Sequence, residues 1–366
     1  MSDDAKSYAA LGVNYKPLDK FKRICQSTAA TTQPFLRHRF REPAGVRGES
    51  AYILELDDSF IAHVEEGLGT KNLVADAVRA CVHRPYFAIG IDTVASIIND
   101  ILTVGALPTA VAMHAAVGDA EWFGDLQRAT DLVEGFAEGC RLSGAVWGGG
   151  ETPVLKDIVA PNAIVLAGSA FGTIHPKGNR ILGNIVSGDR IVFLESSGIH
   201  ANGITMCRSV AASDPNGYNA TLSDGTQFGE TLMLPSYIYV KFIEECFNKA
   251  VVPKYAVNMT GHGWRKLMRP EAALSYVINK IPPIPPLFTF LMDRTNLSHR
   301  EAYATFNMGV GFAVYVSEEQ VAAVLEAAAT AGIHAWEAGE VVNGARSVIL
   351  PEYDITYGGT SLDIRG

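Results

Sequence analysis

Between residues 51 and 350, short apolar runs with strand patterning alternate with longer stretches of helical periodicity, and glycine, asparagine and acid crowd the joins. This alternation restricts the chain to α/β or α+β architectures, which meet their ligands at strand ends. Residues 51–56 (AYILEL) and 60–65 (FIAHVE) read as a hairpin joined by Asp57, Asp58 and Ser59. Over 92–103, Val94, Ala95, Ile97, Ile98, Ile101 and Leu102 share one helical face. The spacing of Trp122, Leu126, Ala129, Val133, Phe136 and Cys140 predicts a helix over 121–142, buried along that stripe. Residues 145–150, 163–173, 189–195 and 308–316 read as strands, and 202–212 and 230–249 as helices. Ser317 and Gln320 form a capping box for a helix over 318–331, followed by two closing strands over 333–350.

The length of 366 residues favours two domains. Strand-like sequence gives way to HPKGN near Ile174–Lys177, which divides the chain into 1–174 and 175–366. The four prolines of KIPPIPPLF (280–288) mark either a linker or the start of a helix inside the second unit.

Thirty Lys and Arg against 39 Asp and Glu give a net charge of −9, without a global basic footprint for nucleic acid or anionic membrane. Neither is expected as a partner. Residues 101–118 carry no Asp, Glu, Lys or Arg, but Gly105, Pro108 and Thr109 interrupt them. A helix end, a turn and a buried strand explain them better than a membrane span. Cys25, Cys81, Cys140, Cys207 and Cys246 are scattered and odd in number, so reduced thiols are expected. With an acidic N-terminus lacking an apolar signal core, they point to a cytoplasmic protein.

The sequence contains no Walker-type phosphate loop, dinucleotide glycine fingerprint, nucleophile elbow or zincin histidine pair. Six small clusters carry the remaining chemistry. Glu65–Lys71 (EEGLGTK) offers backbone amides and a lysine to an anion, beside acids able to hold Mg²⁺. From this cluster alone, a glycine turn with a solvated lysine is the better account. Asn99 and Asp100, with Asp92 two turns earlier, read as a polar helix face. Gly148–Pro153 (GGGETP) ends a strand with three glycines, for a contorted turn or a ligand. Ser196–Gly203 (SSGIHANG) precedes a helix, a natural anion site, and His200 there suits acid–base work or a packing role. Asn258–Trp264 (NMTGHGW) lies between a strand and a helix, and Thr305–Gly311 (TFNMGVG) reads as strand packing.

In this order and spacing the clusters resemble the aminoimidazole ribonucleotide synthetase (phosphoribosylformylglycinamidine cyclo-ligase) family. Its motifs run roughly DGVGTK, GIDxVAMxVNDxxxxGAxP, GGET, SSGxHSNG, TGGG and TFNMGVG. This chain reads EGLGTK at 66–71, GIDTVASIINDILTVGALP at 90–108, GGET at 149–152, SSGIHANG at 196–203, TGHG at 260–263 and TFNMGVG at 305–311. The resemblance implies a two-domain, PurM-like α/β (α+β) fold. Its N-terminal sheet pairs with a second subunit into a barrel, making a homodimer, and its C-terminal domain is an α/β sandwich. It also implies a ligase of purine synthesis. ATP phosphorylates the formyl oxygen of a ribonucleotide intermediate, and a neighbouring nitrogen closes the imidazole ring.

By match to the motifs, Glu66, Asp100 and Glu151 would hold Mg²⁺. Gly67, Gly69, Thr70, Lys71, Asn99, Gly149 and Gly150 would bind ATP. Ser197, Gly198, Asn202, Gly203, Thr260, Gly261 and His262 would face the substrate, and His200 and Lys71 would act in catalysis.

The chain also departs from the family. Glu66 replaces Asp, and a glycine-rich segment before the first strands is replaced by RHRFREPAGVRGES. TGGG becomes TGHG, the acidic segment after GGET shrinks to Pro153–Lys156, and a tail PEYDITYGGTSLDIRG is added. These changes fall at sites rather than in the core, the pattern of a divergent paralogue. Three readings follow: the cyclo-ligase itself, an ATP-using relative acting on another small substrate, or a ligand-binding relative without catalysis.

Overall fold

A computed structural model describes residues 11–37, 39–181, 183, 185–362 and 364. The expectation about the N-terminal signal concerns residues 1–10, outside this set. Helix α1 (Tyr15–Ala30) leads into strands β1 (Tyr52–Glu55) and β2 (Phe60–Leu68), then helices α2 (Thr70–Val78) and α3 (Pro85–Leu102). Strand β3 (Leu107–Val117), helix α4 (Leu126–Ser143) and strands β4 (Val146–Glu151) and β5 (Ile164–Ile174) follow. These strands form one five-stranded sheet, ordered β1-β2-β5-β3-β4.

A second, seven-stranded sheet takes the rest of the chain. It is built from β6 (Arg190–Glu195), β7 (Tyr255–Asn258), β8 (Leu274–Ile278), β9 (Val310–Val316), β10 (Ala335–Asn343), β11 (Ser347–Leu350) and β12 (Ile355–Gly358). Its order is β12-β11-β8-β10-β6-β9-β7. Helices α5 (Ile204–Ser213), α6 (Phe228–Leu232), α7 (Val240–Asn248), α8 (Pro286–Thr295), α9 (His299–Thr305) and α10 (Val321–Ala331) accompany it. The tail supplies β12, which pairs antiparallel with β11. The proline run leads into α8, with Pro286 at its first position.

Helix α3 is the axis of the first unit. It is long and apolar enough to cross a membrane, yet 89% of it is buried. It packs on α4 through glycines. A Cβ on Gly135 would sit 2.0 Å from the Phe87 carbonyl oxygen, and one on Gly139 would meet Val94 at 2.7 Å. This contact corrects the predicted stripe of 121–142. Residues Ala120–Gly124 form a separate 3-10 turn, and Asp125 caps a fresh helix by accepting from the Arg128 amide. Leu126 is consequently 76% exposed and Val133 39%, while Leu132, Gly135, Phe136, Gly139 and Cys140 face inward. The predicted helix over 230–249 is likewise two helices, α6 and α7. Pro235 lies between them, and residues 234–239 run as a strut whose backbone binds α2, α3 and the 197 loop.

Candidate active site

A cleft of about 520 Å³ lies where α1, the end of β2, α3 and the loops of the second sheet meet. It shares Glu66, Asp100, Asn202 and Thr260 with a recess of about 100 Å³ that also reaches Gly67 and Ser96. Glu66 alternates along β2 onto the face that α3 covers. Its partner across the sheet is Gly168, where a Cβ would meet Ile97 of α3. Asp100 comes from the last turns of α3 and accepts a hydrogen bond from Asn258 Nδ2 at 2.7 Å. After β7 the chain turns through His262, at φ +71°, into the 3-10 helix Gly263–Met268. That turn delivers Thr260, Gly261, His262 and Lys266 to the cleft, and Tyr15, Lys22 and Gln26 of α1 roof it.

The electrostatics follow from enclosure. Glu66 is pushed up to about 7, first by desolvation between the cleft walls and then by the negative charge of Asp100. Lys266 is pulled down to about 8 by burial, against the attraction of Asp100. Its Nζ donates to Thr260 Oγ1 at 2.5 Å. His262 falls to about 4 by burial, although Asp19 lies 3.2 Å from its Nε2. At neutral pH its ring is therefore uncharged. It stacks on Tyr15 with centroids 3.9 Å apart, and the Tyr15 hydroxyl accepts from the His262 amide.

The structure thus brings together Glu66, Gly67, Asp100, Asn202, Thr260, Gly261 and His262. Other expected site residues have different places. Lys71 is buried, with its Nζ 2.6 Å from Asp92 Oδ2 and donating to the carbonyls of His200 (3.0 Å) and Leu234 (3.3 Å). Those contacts leave no route for a phosphate. Asn99 donates to the Tyr237 carbonyl and accepts from the Tyr239 amide, so both ends of its amide brace the strut. Asp92, expected on a polar face, accepts from the Ser236 amide and hydroxyl; α3 is buried on nearly every side, and its Asp92 and Asn99 are internal ties.

His200 is buried, and burial followed by the Lys71 charge lowers it to about 3. Its Nε2 accepts from the Ser197 amide at 3.3 Å. A ring so placed is a packing group rather than an acid–base catalyst. Ser197 Oγ donates to the Pro235 carbonyl, and the Gly198 carbonyl accepts from Asn307 Nδ2. A Cβ on Gly203 would press on Phe306 at 2.5 Å, so glycine serves packing there.

Glu151 pairs with His114, one row beyond Gly150 and Met113, and the Glu151–His114 row continues through Ala167 to Gly67. That row lies on the sheet face opposite Glu66, three strands away at roughly 14 Å from Gly67. Glu151 therefore cannot complete a metal site with Glu66 and Asp100 in the same chain. Gly149 belongs to the same edge strand. Gly150 is explained by β3, since its Cβ would fall 2.0 Å from the Met113 carbonyl oxygen. Thr70 opens α2, and beside Gly69 a Cβ would meet nothing within 4 Å, leaving space at that helix start.

Sequence reasoning missed Lys266, Arg269, Tyr15 and Lys22. The signal for Lys266 was its position six residues after Thr260 on a tight helical turn. The α1 residues gave none, because only the fold carries them to the cleft.

Two units with separate sheets define a fold shared with several solved structures. The HypE–HypF complex covers 91% of this chain and 98% of that chain at a TM-score of 0.60, with 16% identity. T. maritima PurL complexed with FGAR covers 97% of this chain and 54% of its own, at 0.59 and 16% identity. At sequence level, residues 48–174 match the N-terminal domain and residues 186–350 the C-terminal domain of AIR synthase related protein. The phosphoribosylformylglycinamidine cyclo-ligase of Methanococcus vannielii is 33% identical over 329 residues, 87% of this chain and 90% of that protein. The same enzyme of Carboxydothermus hydrogenoformans is 32% identical over 359 residues, 94% and 99% of the two chains. The chain belongs to the AIR synthase related family.

Proposed function

We propose that this protein is an ATP-dependent ring-closing ligase acting on phosphoribosylformylglycinamidine or a near analogue, built from units 1–174 and 175–366. The observation that carries the reading is the meeting of Glu66, Asp100, Asn202 and Thr260 in one cleft, in a chain about one-third identical to cyclo-ligases over most of its length. Phosphoryl transfer to an amide-type oxygen needs positioning and charge neutralisation more than a protein nucleophile. Asn202, Thr260 and the Gly261 backbone orient the polar substrate. The walls of α1 limit water, which would otherwise compete for the transferred phosphoryl group.

Glu66 and Asp100 suit Mg²⁺, an ion usually held by one or two carboxylates plus substrate phosphates. The upward shift of Glu66 supports the fit, since two neighbouring acids gain from a cation between them. Bound there, Mg²⁺ would offset charge on the phosphate oxygens. Titration calorimetry with ADP and Mg²⁺, followed by phosphate release with phosphoribosylformylglycinamidine and ATP, tests the reading. Absence of nucleotide binding at millimolar ADP would sink it.

A second reading, the same chemistry on a different small substrate, is favoured by His262. It stands where the family motif has glycine and ties α1 down over the cleft. Nucleotide binding without turnover of phosphoribosylformylglycinamidine would select it.

The uncovered face of the first sheet supports a homodimer. Val165 and Phe171 project from it, 42% and 44% exposed, and all of β4 is an exposed edge.

A further inference from the structure

The three cations lining the cleft differ in what they already bind. Arg269 donates to the Gly48 carbonyl through Nε and Nη2 and to Ser50 Oγ through Nη1, so its guanidinium holds the 48–50 loop. Lys22 sits on the exposed side of α1. Lys266 is only 7% exposed, and its ammonium donates to Thr260 Oγ1. An ammonium has three donors, and one of these is given to Thr260 Oγ1, with no ion pair closing the other two among the described residues. A buried charge in that state is costly unless a ligand or an acid nearby offsets it. The acids whose charge acts on it are Asp100 and then Glu66, and both line the same cleft.

Resting on the nucleotide-binding reading above, we propose that Lys266 contacts the nucleotide phosphates and that its charge weakens divalent binding by Glu66 and Asp100 in the absence of nucleotide. The metal then enters with the phosphates, whose negative charge outweighs the lysine, rather than ahead of them. Lys266 takes the phosphate-facing place that Lys71 cannot, because the Lys71 ammonium is closed off by Asp92 and two carbonyls.

The experiment compares the full-length parent with Lys266→Gln and Lys266→Arg, each first checked for a cooperative melt. ADP binding is measured by calorimetry with and without Mg²⁺, and Mn²⁺ binding alone by electron paramagnetic resonance. In Lys266→Gln, ADP affinity should fall at least about ten-fold, the loss of a charge-assisted hydrogen bond. Affinity for Mn²⁺ alone should rise about five-fold, because a repelling charge is gone. Lys266→Arg should stay near the parent in both. A purely structural lysine would lower both affinities together, or neither, and either result overturns the proposal. A parent that binds ADP while Lys266→Gln binds it equally overturns this assignment alone. A parent that binds no ADP overturns the function beneath it as well. If Lys266→Gln does not fold, Lys266→Met, which keeps the packed stem, is measured in the same way. Failure of both to fold makes the lysine structural and ends the proposal.

Discussion

Lys71 and Lys266 are both buried, but they do opposite work. Lys71 closes an ion pair with Asp92, whose carboxylate also accepts from the Ser236 amide and hydroxyl. Removing one partner leaves an uncompensated buried charge, which costs about 3–5 kcal/mol. Lys71→Met should therefore lower stability by that order in urea unfolding, and the double variant Lys71→Met/Asp92→Asn should recover part of it. Unchanged stability with a selective loss of ATP binding would return Lys71 to the active site. His200 sets a pH effect of definite sign. Burial holds it near 3, against about 6.5 when unfolded, so the unfolded chain binds the extra proton as pH falls below 6.5. Stability from this group is fully present above 6.5 and is lost as pH drops toward 3, with about 2 kcal/mol already gone at pH 5. Replacing His200 with Asn should flatten the acid limb of the parent's stability–pH curve. An identical slope in both proteins would show that the ring already titrates freely.

At the level of elements, α1 is the exception. It buries none of its residues, and it is tied to the body by the Tyr15–His262 stack, the Asp19–His262 contact and the bond from Gln26 Nε2 to the Ile364 carbonyl. His262 sits at φ +71°, where glycine is unstrained. His262→Gly should keep the fold while removing two of these ties. Amide exchange over residues 15–30 should quicken in that variant, with β6 and β9 unchanged. Unaltered exchange in α1 would mean that the helix is held elsewhere.

Elements also separate what was legible in the sequence from what was not. Strands and most helices were readable because apolar periodicity is local, and the capping box of Ser317 and Gln320 was visible for the same reason. The α4 stripe was misjudged because its contact with α3 is made by glycines, which a hydrophobic pattern does not count. Within the cleft, Glu66, Asp100, Asn202 and Thr260 are residues that the motifs single out. Lys71, Asn99 and His200 sit in equally strong motifs but serve as internal ties. Residue type cannot distinguish a polar group facing a ligand from one facing a buried carbonyl. That difference arises only when the 234–239 strut crosses α3.

For the whole molecule, the remaining question is what meets the first sheet. One face is covered by α3 and carries Ala62, Val64, Leu166 and Ala170, all buried. The other presents Val165 and Phe171 to solvent, with Ala167, Ser169 and His114 between them in register. Beside it runs β4, exposed along its length, with Val146 66% exposed and an unpaired outer edge. An apolar sheet face bordered by an open edge invites pairing, and a two-fold copy can offer the same face and edge in return. The face also carries the polar side chains His63, Glu65 and Glu151. Sedimentation of the parent at micromolar concentration should show a dimer. Phe171→Glu places a charge at the centre of this face without touching the α3 side, so it should yield a monomer that melts cooperatively near the parent temperature. A monomeric parent, or a Phe171→Glu variant that remains dimeric, would mean that this face is covered by something other than a second copy of the chain.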